Sequence, residues 1–280
     1  MNRSFISVRR GVEAIAHAFQ LRKDEGGKAL IPYLMAGDPD LGTTGKIVKS
    51  LSGIGVDLIE LGMPFSDPLA DGPVIQRAGE RALRQGVTLK KLLGLVEELR
   101  LDLNTPLIIM TYYNLFFSYG LETFARDAVQ AGVDGVIVPD LPVEEAADFQ
   151  QALDREGLAL VYLVAPTSTE DRVRAIAAQA RGFIYYVSRT GVTGEQRDIA
   201  ADLAENLRRL REFTPLPVAV GFGVSTPEQA AEIARHADGV VIGSAVVRLI
   251  EETSQLHERI AARFLRPFVD VLHGTPPSGK

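Results

Sequence analysis

The chain of 280 residues contains no cysteine and no tryptophan. Without cysteine it can form no disulfide framework, and it lacks thiolate nucleophiles, thiolate zinc sites and cysteine-held iron–sulfur clusters. The absence also suits a reducing compartment, so we predict a cytoplasmic protein. The hydrophobic fraction of 46% is close to the globular average, which excludes disorder over most of the chain.

Long hydrophobic runs and an excess of positive charge are also missing. The longest uncharged run, residues 103–121, is interrupted by Pro106 and Gly120, which favours a strand and a pocket wall over a membrane span. Glu13 and His17 interrupt the apolar core that a secretory signal would need. Lysine and arginine total 30 against 36 for aspartate and glutamate, a net charge of -6. This balance disfavours binding to nucleic acid or to an anionic membrane.

Eight short apolar segments alternate with amphipathic stretches along the chain. Near-continuous apolar runs are typical of parallel strands that are covered on both faces. The predicted strands are residues 29–36, 56–61, 106–112, 135–139, 159–165, 183–187, 218–220 and 239–242. The predicted helices are residues 92–101, 144–153, 170–180, 203–213, 227–234 and 245–260. Eight strand–helix units are the number found in a (β/α)₈ barrel.

A doubly wound sheet is the alternative architecture. It usually has fewer strands and a GxGxxG turn after the first, whereas the sequence AGDP follows the first segment here, at residues 36–39. We therefore predict an α/β fold of the TIM-barrel type, a single domain over residues 1–280. An extra helix at residues 10–20 is expected to close the bottom of the barrel. Residues 1–9 and the tail 274–280 are predicted to be flexible.

Catalytic groups in such a barrel belong at the C-terminal ends of the strands, and Glu60 ends the second strand. Alternation places Leu58, Glu60 and Gly62 on one face. Burial raises the pKa of a carboxyl group, which suits proton transfer near neutral pH, although a structural ion pair is the alternative. In the loop that follows, Asp71 is a candidate second carboxylate, although ordinary turn chemistry also explains an aspartate there.

Glycine clusters end the last two predicted strands. The sequence GFG at residues 221–223 follows the seventh strand, and Gly243 and Ser244 follow the eighth, before a predicted helix. In this fold the loops after strands seven and eight commonly hold a phosphate through backbone N–H groups and a helix N-terminus. Ordinary turns are again the alternative.

The sixth strand and the loop after it carry two further candidates. The loop at residues 188–195 has glycine hinges and small polar residues, which are typical of a lid and equally of a flexible connection. Tyr185 on the strand either offers its phenol to the pocket or packs in the core.

Lysine and histidine are missing from the predicted C-terminal strand ends. The seven lysines lie elsewhere, which disfavours a Schiff-base mechanism. The histidines fall in predicted helices or in the tail, which disfavours a histidine-held metal or a Ser-His-Asp triad; they are His17, His236, His257 and His273. Acid/base chemistry by carboxylates on a phosphorylated substrate remains.

The sequence ELGMPFSDPLADGPVIQ at residues 60–76 resembles the α subunit family of tryptophan synthase. The resemblance continues in order through residues 32–39, 112–114, 139–142, 188–194, 221–223 and 243–244. It implies a (β/α)₈ barrel that cleaves indole-3-glycerol phosphate to indole and glyceraldehyde 3-phosphate. It also implies an α₂β₂ heterotetramer, in which indole passes to a β subunit that carries pyridoxal phosphate. This chain itself is then expected to hold no cofactor and no metal.

The resemblance also implies a role for each site residue. The catalytic pair is Glu60, which gives and takes the proton, and Asp71, which accepts the indole N–H. The substrate-binding residues are Tyr33, Met110, Ile137, Tyr185, Thr193 and Phe222. The phosphate-binding residues are Gly194, Gly223, Gly243 and Ser244. Two of these depart from the family pattern, because Tyr33 stands where phenylalanine is usual and Met110 where leucine is frequent.

Three alternatives stay open from the sequence. The first is a lyase that releases indole without a β partner. The second is a catalytically silent regulatory subunit, and the third is a different sugar-phosphate barrel such as an isomerase. The proline-rich loop at Asp67 and Pro68 resembles the family's partner-contacting surface and favours a complex. The presence of Glu60 together with Asp71 argues against a silent subunit.

Overall fold

In the computed structural model, eight parallel strands close into a barrel in which each strand pairs with the next and β8 pairs with β1. The strands are β1 (Ala29–Met35), β2 (Ile59–Gly62), β3 (Leu107–Met110), β4 (Gly135–Ile137), β5 (Ala159–Val164), β6 (Ile184–Val187), β7 (Val218–Gly221) and β8 (Gly239–Ile242). The structure describes residues 9–187, 196–221 and 223–274, with only the backbone of 196–201. The predicted TIM barrel is confirmed, and each predicted strand overlaps an observed one.

Helices surround the barrel. They are α1 (Gly11–Asp24), α2 (Leu41–Gly53), α3 (Pro73–Arg84), α4 (Leu89–Leu99), α5 (Tyr113–Tyr119), α6 (Leu121–Ala131), α7 (Ala147–Arg155), α8 (Glu170–Gln179), α9 (Gln196–Arg211), α10 (Pro227–Ala234), α11 (Ser244–Glu252) and α12 (His257–Leu272), with a 3₁₀ turn at Val143–Glu145. No helix in the described ranges combines the length and apolar character of a membrane span.

The helix predictions were incomplete in two respects. Four helices were not predicted, namely α2, α3, α5 and α6, and the glycines and hydroxyl residues of α2 have weak helix propensity. The predicted helix at 245–260 is two helices, because α11 ends at Glu252 and α12 begins at His257. Leu256 between them adopts a left-handed backbone with φ 57°, which a continuous helix does not allow.

The barrel strands are buried on both faces, so two apolar layers form. Residues of the outer faces pack against the surrounding helices. The inner faces form a separate cluster that includes Ile31, Leu58, Ile108 and Val241. This double burial explains why the strands are near-continuous apolar runs in the sequence.

Helix α1 closes the bottom of the barrel, as expected from its position before β1. Ile15 and Phe19 belong to the inner cluster, and the Phe19 and Phe183 rings lie 5.4 Å apart. A Cβ atom at Gly11 would lie 2.1 Å from the carbonyl oxygen of Gly157, and Gly11 has a φ of 63°. Only glycine therefore allows the helix to begin so close to the barrel.

Three aspartates at the bottom of the barrel tie neighbouring strands together. Each lies just before a strand and accepts the backbone N–H at the start of the preceding strand: Asp57 from Leu30 at 2.8 Å, Asp134 from Leu107 at 2.9 Å and Asp238 from Val218 at 3.0 Å. These bonds satisfy backbone donors that the barrel ladder leaves open.

The aspartates at this end are also paired with cations. Asp57 contacts Arg22 and lies 2.9 Å from the His273 ring, and the fully buried Asp134 is paired with Arg100. His273 thus lies at the opposite end of the barrel from the strand C-termini, while His236 lies in the turn after α10. These ion pairs therefore stabilise the closed end of the barrel.

We predict that Asp134→Asn lowers the free energy of unfolding by about 3–5 kcal/mol, because Arg100 is left buried without its counter-charge. Urea denaturation measures the change. Asp238→Asn is the matched control, since its carboxylate is one-third exposed and its ion pairs are worth about 1 kcal/mol or less. Equal losses in the two variants would contradict the assignment.

Candidate active site

Glu60 lies on the inner face of β2, between Leu58 below it and Gly62 at the strand end. Its side chain is only 1% exposed, and its Oε1 atom has no hydrogen-bond partner among the described residues. Burial alone raises the pKa of Glu60 from 4.5 to about 8. No described Lys, Arg or His pairs with it, so the structure gives no support to an ion pair, and the carboxyl can hold its proton at neutral pH.

Two tyrosines reach into the barrel mouth near Glu60, each over a glycine of the neighbouring strand. A Cβ atom on Gly62 would lie 2.0 Å from the Tyr33 hydroxyl, and one on Gly221 would lie 2.3 Å from the Tyr185 hydroxyl. A side chain at either glycine would displace the tyrosine. Burial raises the pKa of both phenols well above 10, helped by the Asp71 and Glu60 charges at Tyr33 and by the Glu60 charge at Tyr185. Both therefore remain protonated donors.

Asp71 lies in the loop between β2 and α3, which begins at Pro73. Its carboxyl is half-buried, and burial raises its pKa, while the facing Tyr112 hydroxyl offsets part of the rise. Asp71 also donates its backbone N–H to the Pro68 carbonyl at 3.1 Å. This bond closes a turn, which is the alternative role that the sequence allowed for Asp71. The turn thus fixes the backbone while the side chain faces Tyr112.

Two side chains hold this loop against the barrel. The Tyr112 hydroxyl accepts the Ala70 N–H at 2.9 Å, and the Tyr112 ring stacks on Phe65 with centroids 5.1 Å apart. The Gln76 amide donates to the Asp71 carbonyl at 2.9 Å. The loop is therefore held by Tyr112, which follows β3, and by Gln76 on α3.

Apolar side chains form the wall of the mouth beside Glu60. Met110 pairs with Gly62 on one side and with Ile137 on the other in the strand register, and both side chains belong to the inner cluster. Met110 is partly exposed at the mouth, and its register partner Ile137 is fully buried. A flat apolar ring is the kind of group that such a wall accommodates.

The turns after β7 and β8 bring backbone N–H groups to the same mouth. Gly223 is exposed with a φ of 72°, a conformation that favours glycine. Gly243 precedes α11, which begins at Ser244 and has no side-chain cap at its N-terminus. Since β7 and β8 are neighbours in the barrel, the Gly223 turn and the N-terminus of α11 follow adjacent strand ends. The first N–H groups of a helix have no partner within the helix.

Three predicted site residues lie outside the described residues: Thr193, Gly194 and Phe222. The loop at 188–195 lies there too, as do residues 1–8 and 275–280. Within the described ranges, no group of three or more His, Asp or Glu side chains is placed to hold a metal ion.

The sequence reasoning missed two components of the site. Tyr112 entered the sequence analysis only as part of a motif, yet its hydroxyl contacts the Asp71 loop. Its position just beyond the end of an apolar strand could have marked it as a candidate site residue. The pairing of each tyrosine with a strand-end glycine was missed as well, because it joins residues of different strands.

Comparison with known proteins decides the family. Residues 19–270 match the family described as Tryptophan synthase alpha chain. The chain belongs to the tryptophan synthase alpha chain family. A relative from Geobacter sulfurreducens with that name is 52% identical over 85% of this chain and 90% of its own. One from Methanosarcina mazei is 51% identical over 86% and 88%.

Solved structures agree with this assignment to the tryptophan synthase alpha chain family. Tryptophan synthase subunit alpha from Legionella pneumophila has a TM-score of 0.87 and 37% identity, covering 93% of this chain and 98% of that one. The tryptophan synthase complex from Pyrococcus furiosus has a TM-score of 0.79 and 37% identity, covering 87% and 99%. The family cleaves indole-3-glycerol phosphate in tryptophan biosynthesis and works with a β subunit. The chain is therefore a carbon–carbon lyase subunit.

We predict that Glu60→Gln changes how the stability of this alpha chain depends on pH. The folded wild type keeps a proton that the unfolded chain releases above its ordinary pKa of 4.5, so its free energy of unfolding falls as pH rises from 4.5 to about 8. The variant lacks this loss and is more stable than wild type at pH 8 by a few kcal/mol, with the gap closing toward pH 4.5.

Urea denaturation across this pH range measures the difference between the two proteins. Glu97→Gln, on the exposed side of α4, is the control and follows the wild-type curve. Parallel curves for wild type and Glu60→Gln would show that Glu60 is ionised in the folded protein.

Proposed function

We propose that Glu60 and Asp71 carry the retro-aldol cleavage of indole-3-glycerol phosphate in this chain. The observation that supports it is the buried Glu60 carboxyl, without a counter-charge and with a pKa raised to about 8. A carboxyl group that is protonated at neutral pH can act first as an acid and then as a base. The proposal requires no cofactor and no metal in this chain.

The reaction can be written with both residues in defined roles. Glu60 gives its proton to C3 of the indole ring, which makes the ring an electron sink. The Glu60 carboxylate then removes the proton of the glycerol hydroxyl, the bond between C3 and the side chain breaks, and its electrons return to the ring. Indole and glyceraldehyde 3-phosphate leave, and Glu60 is protonated again. Asp71 accepts the indole N–H and stabilises the positive charge on the ring.

The rest of the mouth binds the two ends of the substrate. Tyr33, Met110, Ile137 and Tyr185 form the walls for the indole ring, supported by their position around Glu60. The phosphate binds the amides at Gly223, Gly243 and Ser244, supported by the open N-terminus of α11. We extend the set to Thr193, Gly194 and Phe222 on the resemblance alone.

We also propose an α₂β₂ heterotetramer in which indole passes to a β subunit that holds pyridoxal phosphate. Two large apolar side chains support a docking surface at the barrel mouth: Leu69 in the Asp71 loop is 85% exposed, and Phe117 on α5 is 64% exposed. Both follow C-terminal strand ends, where indole would leave. We place the complex in the cytoplasm, and treat residues 1–280 as one functional domain.

Indole release from indole-3-glycerol phosphate by the purified chain tests the reaction. We expect Glu60→Gln and Asp71→Asn each to lower kcat by about 10² or more, because one removes the proton donor and the other the negative charge beside the ring. Glu97→Gln and Asp171→Asn make the same changes at exposed helix positions and should retain wild-type turnover. Near-normal turnover in either site variant, with its fold intact, would reject its assigned role.

Titration calorimetry with the cognate β subunit tests the docking surface. We expect Leu69→Asp and Phe117→Asp each to weaken binding about tenfold or more, since a charge would be buried in the interface. Leu101→Asp is the control, because Leu101 is 84% exposed but lies between α4 and β3, at the opposite end of the barrel. Equal affinity for all three variants would place the partner elsewhere.

A further inference from the structure

Tyr33 occupies a central position in the mouth. It pairs with Glu60 in the register of β1 and β2, and its ring extends across β2 so that the hydroxyl lies over Gly62, two residues beyond Glu60. The missing side chain at Gly62 creates the space for this hydroxyl. Tyr33 is itself buried, so the phenol is held in this position by the strands around it.

The ionisable groups of four other segments face Tyr33. They are Glu60 on β2, Asp71 in the loop after β2, Tyr112 after β3 and Tyr185 on β6. Burial and then Asp71 and Glu60 raise the pKa of Tyr33 well above 10, so its hydroxyl keeps its proton at every pH at which the enzyme works. Tyr33 thus keeps a proton that it can donate, and both carboxylates influence its hydroxyl electrostatically.

Glu60 needs such a donor in one half of the reaction. Once it has protonated the ring it is a buried carboxylate, and no described cation is paired with it. A buried carboxylate without a hydrogen-bond donor is strongly disfavoured. The neighbouring strand β1 offers the Tyr33 hydroxyl, and Tyr185 offers a second from β6.

We propose that Tyr33 is a positioning residue for Glu60, whose hydroxyl donates a hydrogen bond to the Glu60 carboxylate while that group is ionised. The inference rests on the proposed role of Glu60 in the cleavage. The hydroxyl then has a function in catalysis, whereas a residue that only shapes the pocket needs no hydroxyl.

The test is Tyr33→Phe, which removes one oxygen and keeps the ring. Without the donor the charged form of Glu60 is disfavoured, so its pKa rises. We expect the basic limb of kcat/KM against pH, near pH 8 in the wild type, to move up by about one unit, and kcat to fall about tenfold. KM should change less than twofold, because the ring that contacts the substrate is retained.

Tyr186→Phe is the matched control. Tyr186 is a buried tyrosine on β6, and alternation with Tyr185 places its side chain on the outer face of that strand. The same atom is removed, but on the face away from the mouth. We expect wild-type kcat and an unmoved pH profile. A shift equal to that of Tyr33→Phe would overturn the inference, as would an unmoved profile and kcat in Tyr33→Phe itself.

A direct titration separates this inference from the proposed function. The ¹³C carboxyl signal of Glu60, assigned by its loss in Glu60→Gln, reports its pKa in protein that is not turning over. An upward shift in Tyr33→Phe supports the hydrogen bond even if no indole is released, in which case the proposed function alone fails. An unchanged Glu60 pKa, with indole release intact in the wild type, rejects the role of Tyr33 alone.

Gly62→Ala provides a second variant that acts on the same hydroxyl. Its methyl group would lie 2.0 Å from the Tyr33 oxygen and must push it away. We expect the same upward shift of the Glu60 pKa, and no further shift when Gly62→Ala is combined with Tyr33→Leu, which has no hydroxyl to displace. Additive shifts in the double variant would show that Gly62 acts independently of Tyr33 and would count against the inference.

Discussion

The proposed chemistry of this protein depends on one carboxyl group that is buried with no described counter-charge. Glu60 lies inside a closed barrel of apolar side chains, and water cannot stabilise its charge there. That single constraint raises its pKa into the neutral range. The surrounding structure maintains this burial, because α1 closes the bottom of the barrel and the wall beside Glu60 is apolar.

Charged groups are distributed unequally between the two ends of the barrel. At the bottom, Asp57 and Asp134 are paired with cations and accept backbone N–H groups, so they connect strands and stabilise the fold. At the mouth, Glu60 and Asp71 face tyrosine hydroxyls and have no described cation partner. Carboxylates of the same kind therefore stabilise the fold at one end and, in the proposed reaction, transfer protons and hold charge at the other, according to what each faces.

The two carboxylates of the mouth are held differently. Glu60 is on a strand whose backbone bonds are all within the barrel, whereas Asp71 lies in a loop that depends on Tyr112 and Gln76 for its position. The same loop carries the exposed Leu69. The proposed docking surface and the proposed substrate contact of Asp71 are thus only two positions apart in the chain.

The local pattern of residues was sufficient for the barrel and for Glu60. All eight strands follow from near-continuous apolar runs, because parallel strands buried on both faces have few polar positions. Alternation grouped Glu60 with Leu58 on one face, and the structure shows that Leu58 belongs to the inner cluster. The helix α2 could not be predicted in this way, since its amphipathic pattern is weakened by glycine and hydroxyl residues and its stability comes from packing.

The environment of Glu60 was not accessible from the sequence. The Tyr33 hydroxyl over Gly62, the Tyr185 hydroxyl over Gly221 and the Tyr112 contact to the Asp71 loop join segments that are separated in the chain. The alternation of residues predicts which face of a strand a side chain lies on, because this property depends only on a few neighbouring residues. Which side chains meet across the barrel depends on strand register and close packing, and these arise only when the whole sheet has closed.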